Sequence, residues 1–272
     1  MSRERAEGWQ HAKLSGHKNE DLITKLVLDN TDIQQELLKN ANRSGKIIGV
    51  LEGGLREKQI PSVLGDGTKA KPDIRLEIDN GEHINVSLKK SFSGQVFLVT
   101  VERFAVGFEV QYNKKIPFNV KRALTLFWGT SEEVPSIIEK YANVEIPYQK
   151  RKHRLVKDTL DRYDSSLSKV LLDWFKENIV QIFDYCFVRG LAKNPEDWAD
   201  VIWYKNLLGN EEDGDTMINL VELKSKIKDH SAMISYGTRT GGSTIQLPFG
   251  FVQWHQGQMQ FHHNLNTIKT IL

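Results

Sequence analysis

Residues 71–89, with the sequence KPDIRLEIDNGEHINVSLK, contain the pattern that decides the fold. Two segments, 74–78 and 84–88, place an apolar residue at every second position. This period of two is typical of half-buried β-strands, and the intervening Asn80-Gly81 is typical of a tight turn. The stretch therefore predicts a β-hairpin with one buried face.

The register of this hairpin follows from keeping apolar residues opposite one another. A two-residue loop at Asn80-Gly81 would place Ile78 opposite His83, and so set apolar against polar. A three-residue loop that also contains Glu82 places Ile78 opposite Ile84. We favour the longer loop, because one face of the hairpin must be buried.

In this register the other face carries residues that suit phosphodiester chemistry. Asp73 lies opposite Lys89, and Ser87 lies one pleat away. The arrangement of Pro72-Asp73 followed by Ser87-Leu88-Lys89 is the outline of the PD-(D/E)xK nuclease site. There the aspartate and the Leu88 carbonyl hold a hard cation, usually Mg²⁺, and the lysine positions the attacking water. The alternative is an exposed Asp–Lys ion pair, which contributes little.

Ser87 stands where this site normally has an acidic residue. A neutral hydroxyl is a weaker metal ligand, so a second carboxylate is expected from elsewhere in the chain. Glu20 lies in a predicted N-terminal helix, and Glu102 follows Lys89 by thirteen residues. Both acids stay open as candidates on this reasoning.

The remaining pattern predicts an α/β protein, with a mixed β-sheet flanked by helices and a C-terminal β-rich recognition region. The predicted helices are 20–40, 131–141 and 166–188, and the predicted strands fall at 198–203 and within 236–263. For residues 92–128 the pattern does not decide between helix and strand. A soft boundary separates a catalytic core, 1–112, from a DNA-recognition and helical region, 113–272.

The composition excludes some classes of protein but does not identify a binding partner. The chain of 272 residues has 37 basic and 35 acidic side chains, so its bulk charge neither demands nor excludes nucleic acid. The single cysteine, Cys186, excludes a disulfide framework. The sequence contains no apolar run of about 18 residues and no apolar signal core at its start, which predicts a cytoplasmic protein without a membrane partner.

Two regions have the composition of a DNA-binding surface. Lys150, Arg151 and Lys152 form the densest basic cluster, which indicates phosphate contacts or a solvated loop. Residues 236–263 are rich in Gln, Gly and aromatic residues. Arg and Gln form bidentate hydrogen bonds with base edges, so base-reading candidates can be chosen there, with an ordinary polar sheet as the alternative. The chosen candidates are Arg239, Thr244 and Gln246.

Several ordered segments resemble the monomeric type II restriction endonucleases of the HinP and Msp group, in the PD-(D/E)xK superfamily. These relatives carry an amide at the position of Ser87. The matching segments are GHKNED at 16–21, read as a helix start, KPDI at 71–74, INVSLK at 84–89, PY at 147–148, DWFKEN at 173–178, RG at 189–190, and 242–261.

This resemblance implies a bacterial or archaeal Mg²⁺-dependent enzyme of a restriction-modification system. It would cut double-stranded DNA at a short GC-containing site, as a monomer that cleaves one strand at a time, with a dimer on DNA as the alternative. The resemblance places Glu20 beside the hairpin, and it implies that Ser93 and Gln95 reach base edges. The rival functions are a structure-selective or repair nuclease and a catalytically weak DNA-binding relative.

Overall fold

The computed structural model describes residues 5–51, 59–143, 154–209 and 214–272, with side chains in the first helix from residue 16 onward. The chain folds into two compact units. Unit 1 contains Met1–Phe92 and Phe187–Leu223, and unit 2 contains Ser93–Cys186 and Lys224–Leu272. Within the described ranges, we find no helix whose length and apolar character would let it span a membrane.

The elements have the following bounds. The α-helices are α1 (Arg5–Asp29), α2 (Thr31–Asn40), α3 (Val101–Tyr112), α4 (Phe118–Phe127), α5 (Val134–Tyr141), α6 (Lys157–Glu177), α7 (Ile179–Phe183), α8 (Leu220–Ile227) and α9 (Leu265–Lys269). The strands are β1 (Ile47–Leu51), β2 (Gln59–Pro61), β3 (Gly67–Lys69), β4 (Ile74–Ile78), β5 (His83–Lys89), β6 (Ser93–Thr100), β7 (Val201–Tyr204), β8 (Thr216–Asn219), β9 (Ser235–Tyr236), β10 (Thr244–Leu247), β11 (Gly250–His255) and β12 (Gln258–Asn264).

Unit 1 is built on a mixed sheet, here called the first sheet, with the strand order β1-β4-β5-β7-β8 among the described residues. All its pairings are antiparallel except that of β5 with β7, which is parallel. Helix α1 covers the sheet with Ile23 and Val27, which pack into one core with Ile74, Leu76 and other strand residues. The predicted mixed sheet flanked by helices is confirmed.

The hairpin forms as predicted, but its loop is displaced by one residue. Ile78 N–H donates to the Glu82 carbonyl at 2.9 Å, so the loop is Asp79-Asn80-Gly81. Gly81 has φ +85°. A three-residue hairpin loop needs a left-handed residue at its last position, and glycine adopts this conformation without strain. The predicted loop would have forced Glu82 into that position.

The displaced loop shifts the strand pairing by two residues. Ile74 now lies opposite Val86, and a shift of two leaves every side chain on its predicted face. The predicted pairing of Asp73 with Lys89 is therefore wrong by one pleat. The observed register brings Asp73 next to Ser87 instead.

Unit 2 is built on an antiparallel sheet, here called the second sheet, with the order β6-β12-β11-β10-β9 in the described chain. Its buried face packs aromatic rings of Phe97 and Phe261 against Phe104 of α3. The C-terminal β-rich region is confirmed. It also contains β6, from the stretch that sequence periodicity left undecided.

The two units do not follow the boundary drawn at 112/113. Strand β6 belongs to unit 2, whereas β7 and β8 return to the first sheet of unit 1. The return is needed because β5 and β7 are parallel, and parallel neighbours require a long crossover connection. Each compact unit is therefore discontinuous in sequence.

The predicted helices exist with altered bounds. The helix predicted at 20–40 is interrupted at Asn30, whose side chain caps α2 by accepting from the amides of Asp32 and Ile33. The helix predicted from Ser131 begins at Val134. Capping side chains and local turns, rather than apolar periodicity, set these ends.

Gly250 at the start of β11 offers a test of this architecture. Its φ is +149°, and an added Cβ would lie 2.1 Å from the His262 carbonyl oxygen of the neighbouring strand. We expect Gly250→Ala to lower the free energy of unfolding by about 3 kcal/mol or more in urea titrations. Gly257→Ala is the control, because its Cβ meets no atom within 4 Å. It should cost about 1 kcal/mol, and equal losses would contradict the strand pairing.

Candidate functional site

The carboxylate of Asp73 is fixed at the start of β4 by the neighbouring strand. The Leu88 amide donates to Asp73 Oδ2 at 2.6 Å, and Ser87 Oγ donates to the same oxygen at 3.4 Å. The Asp73 amide in turn donates to the Val86 carbonyl at 2.8 Å. Both the backbone and the side chain of Asp73 are thus bound to β5.

The ammonium group of Lys89 reaches the same place from the end of β5. Its Nζ donates to Ser87 Oγ at 2.7 Å and to the Leu88 carbonyl at 3.0 Å. The distance from Nζ to Asp73 Oδ2 is 3.9 Å. The hairpin therefore brings together Asp73, Ser87, Leu88 and Lys89, which we call the hairpin cluster.

Burial distinguishes this cluster from a surface ion pair. Asp73 is 0% exposed, Ser87 is 6% exposed, and the Lys89 side chain is 10% exposed. Bringing a lysine and an aspartate out of water costs free energy that a surface pair does not incur. The interpretation as an exposed ion pair is therefore wrong. The free-energy cost of burying these charges indicates a functional role for the cluster.

Tyr204 of β7 lies beside the cluster, with its Cα paired with that of Lys89. Burial raises the pKa of the Tyr204 phenol above its ordinary value. The phenol is therefore neutral at physiological pH and adds no negative charge next to Lys89.

Asn19 bonds helix α1 to the segment that follows β7, and this segment in turn bonds to the end of β5. The Lys205 amide donates to the Lys89 carbonyl at 2.9 Å, and Asn19 Nδ2 donates to the Lys205 carbonyl at 2.9 Å. Asn19 Oδ1 also accepts from the Leu207 amide at 2.8 Å. The structural role of Asn19 was missed from the sequence, because its partners lie more than 180 residues away.

The two candidate acids have different surroundings. Glu20 follows Asn19 in α1, is buried at 6% exposure, and lies 3.5 Å from His17 Nδ1. Glu102 is exposed in the first turn of α3 and belongs to unit 2. The segment at 16–21 does not start a helix, since it lies inside α1.

The oxygen atoms of the hairpin cluster fit a hard cation. In the described part of the chain, no three His, Cys, Asp or Glu side chains are grouped to hold a metal ion. The available ligands are the Asp73 carboxylate and the Leu88 carbonyl, whose second lone pair can ligate while Lys89 uses the first. Mg²⁺ prefers oxygen ligands and retains several waters, so this small set suits a weakly held Mg²⁺ ion.

A second candidate surface is the outward face of the second sheet. Gln253 Nε2 donates to Gln260 Oε1 at 2.9 Å, and Gln260 Nε2 donates to Gln95 Oε1 at 2.7 Å. We call these three side chains the glutamine ladder, which crosses β11, β12 and β6. Because the amides are half-buried or exposed, they form a polar surface that a ligand can reach.

The other candidates for base reading lie on the second sheet or in the turn before β10. Thr244 of β10 lies opposite Gln253, and Gln246 Nε2 donates to Thr244 Oγ1 at 3.0 Å. Arg239 is exposed in the turn before β10, and Ser93 is exposed at the start of β6. The structure brings all of these residues into unit 2. Lys150, Arg151 and Lys152 lie outside the described residues.

His262, on β12, contacts the glutamine ladder at Gln253. Its Nε2 lies 3.2 Å from Gln253 Nε2, and its ring stacks on Phe251 with centroids 4.5 Å apart. Burial, together with electrostatic repulsion from His255, holds the pKa of His262 below its ordinary value. Neutral His262 therefore accepts the hydrogen bond from Gln253.

Gln253, Gln260 and His262 were not selected from the sequence, although they lie in the predicted strand region. A signal existed in β12, where half-exposed Gln260 and His262 alternate with buried Met259, Phe261 and His263. This alternation would have assigned both polar residues to the outward face.

The chain was compared with protein families, curated proteins and solved structures. No protein-family model matches the sequence, and no curated protein matches it significantly. A solved structure to which the chain shows similarity is the crystal structure of the restriction endonuclease MspI in complex with its cognate DNA. The TM-score is 0.48 and the sequence identity 16%, over 85% of this chain and 77% of that chain. At this level the similarity assigns no activity to the chain.

Proposed function

We propose that this protein is a Mg²⁺-dependent type II restriction endonuclease with the PD-(D/E)xK site of the HinP and Msp group. The observation that carries the proposal is the buried hairpin cluster, in which Lys89 Nζ lies between Ser87, the Leu88 carbonyl and Asp73. A buried cation beside a metal-ligating carboxylate suits the hydrolysis of a phosphodiester, since negative charge increases in the transition state.

Each residue of the cluster has a distinct role in this proposal. Asp73 and the Leu88 carbonyl would hold Mg²⁺, which supplies Lewis-acid stabilisation of the scissile phosphate and a bound water of lowered pKa. Lys89 orients the attacking water and stabilises developing charge, while Ser87 fixes the position of the ammonium group. The products would carry a 5′-phosphate and a 3′-hydroxyl.

Recognition of double-stranded DNA is assigned to unit 2. Gln95, Arg239, Thr244 and Gln246 present hydrogen-bonding groups that can read base edges, with Ser93 at the end of the same sheet. The basic residues at 150–152 would contact phosphates, which adds affinity without sequence information. We assign the target to a short GC-containing site, cut by a monomer in the cytoplasm of a bacterial or archaeal cell.

Digestion of several supercoiled plasmids tests the proposed function. In Mg²⁺ we expect a discrete set of bands for each plasmid, and no cutting when the metal is chelated with EDTA. Preferential cutting of branched or damaged DNA would support a repair nuclease instead. Binding without cutting in either Mg²⁺ or Mn²⁺ would identify a catalytically weak relative.

Replacing the two candidate acids tests how the metal site is completed. We expect Glu20→Gln to raise the Mg²⁺ concentration needed for half-maximal cleavage by about tenfold, because Glu20 is a buried carboxylate and the family resemblance implies that it lies beside the hairpin, where it would strengthen cation binding. Glu102→Gln removes the same charge from an exposed position and should leave the Mg²⁺ titration unchanged. The reverse result would show that Glu102 supplies the second acid.

A further inference from the structure

The glutamine ladder has a direction. Gln253 uses its amide group to donate both to Gln260 and to His262, and Gln260 donates onward to Gln95. Each amide therefore points its nitrogen in a defined direction. Among the hydrogen bonds of the described residues, Gln253 Oε1 and Gln95 Nε2 take no part. The ladder thus offers a ligand an acceptor on Gln253 and a donor on Gln95.

The observed direction requires His262 Nε2 to accept from Gln253 Nε2. Neutral imidazole with its proton on Nδ1 accepts at Nε2, whereas the imidazolium ion donates from both ring nitrogens. A protonated His262 would direct its Nε2–H at the Gln253 amide nitrogen, which is itself a donor. Rotation of the Gln253 amide by half a turn removes this conflict, because Oε1 then accepts from His262.

One rotated amide requires the next to rotate. With Gln253 reversed, its Oε1 faces Gln260, so Gln260 must present its Nε2, and its own Oε1 then faces Gln95. Gln95 reverses for the same reason. Gln253 would then offer a donor to a ligand, and Gln95 would offer an acceptor.

We propose that His262 is a positioning residue whose protonation reverses the glutamine ladder and exchanges the donor and acceptor that the ladder presents to a nucleic-acid base. The identity of the ligand rests on the proposed function, whereas the reversal of the amides does not. Because a base edge is recognised by its order of donors and acceptors, reversal changes which base pair is preferred.

Within the described residues, one other titratable side chain acts on His262 from the neighbouring strands. On β11 Phe251 lies opposite His262, with Gln253 and His255 further along the same face, and on β6 the neighbour is Gln95. Electrostatic repulsion from His255 opposes protonation of His262. His255 is exposed at the end of β11 and forms none of the ladder's hydrogen bonds.

NMR on the protein without DNA tests the reversal directly. In protein labelled with ¹⁵N at Gln and His, we expect the side-chain amides of all three ladder residues to shift with the same midpoint as the His262 ring between about pH 8 and about pH 5. His262→Gln should abolish these shifts. His255→Gln, the matched control, should keep them and move the midpoint to higher pH, because it removes the electrostatic repulsion from His255. Amides that do not follow His262 would overturn the proposal.

Binding to DNA tests the consequence for recognition. For duplexes that differ by one base pair, we expect the wild-type preference ratio to change by about tenfold between the two pH values, and the ratio of His262→Gln to stay constant. A ratio that is independent of pH in the wild type, despite a titrating ladder, would overturn the role in base reading. Sequence-independent binding throughout would reject the proposed function while the NMR result decides the reversal.

Discussion

Lys89→Met is expected to lower the rate of DNA cleavage by about a thousandfold while the protein stays folded. The substitution keeps most of the apolar stem but removes the ammonium group that contacts Ser87 and the Leu88 carbonyl. Loss of a charge-stabilising or water-positioning group typically costs about 10²–10⁴ in rate. Cleavage rates under single-turnover conditions, with urea unfolding in parallel, measure both properties.

The neighbouring Lys90 provides the matched control for this substitution. Lys90→Met removes the same charge one residue later and should cut DNA at the parental rate, because the ammonium group that contacts Ser87 and the Leu88 carbonyl belongs to Lys89. Cleavage by Lys89→Met within about tenfold of the parent would contradict the assignment of the hairpin cluster.

Asp73→Asn is expected to abolish cleavage and to remove metal binding at the cluster. Asparagine can still accept the hydrogen bond from the Leu88 amide, so the hairpin should form. A neutral amide is a much poorer ligand for a divalent cation than a carboxylate. Cleavage assays and calorimetric titration with Mn²⁺ measure the two effects.

Asp79→Asn is the control, since Asp79 lies in the loop of the same hairpin and its Oδ1 accepts from the Lys46 amide. Asp79→Asn removes the same charge as Asp73→Asn, but the variant should retain cleavage and metal binding. Retention of both properties by Asp73→Asn would place the metal elsewhere in the chain.

The sequence allowed the hairpin to be predicted because its signals are local. Alternation with a period of two assigned the buried face, and this assignment survived an error in the loop. The error arose from pairing apolar residues without asking which residue must be left-handed. That residue is Gly81, whose φ of +85° suits the last position of the loop.

The contacts that complete the candidate site could not be predicted, because they join distant parts of the chain. Asn19 bonds to Lys205, and β6 pairs with β12 across more than 150 residues. Periodicity reports which face of a strand is buried but not which strand lies beside it. The glutamine ladder depends on such a neighbour, so Gln95 was selected through the family resemblance, and its partner Gln260 was not.

Sequencing of the DNA ends produced from several unrelated plasmids tests the central claim most directly. We predict that all ends fall at one short sequence and carry 5′-phosphates when the wild-type protein acts in Mg²⁺, and that Lys89→Met produces none of them. Ends scattered over many sequences, or the same ends produced by Lys89→Met, would contradict the assignment of a sequence-specific endonuclease to the hairpin cluster.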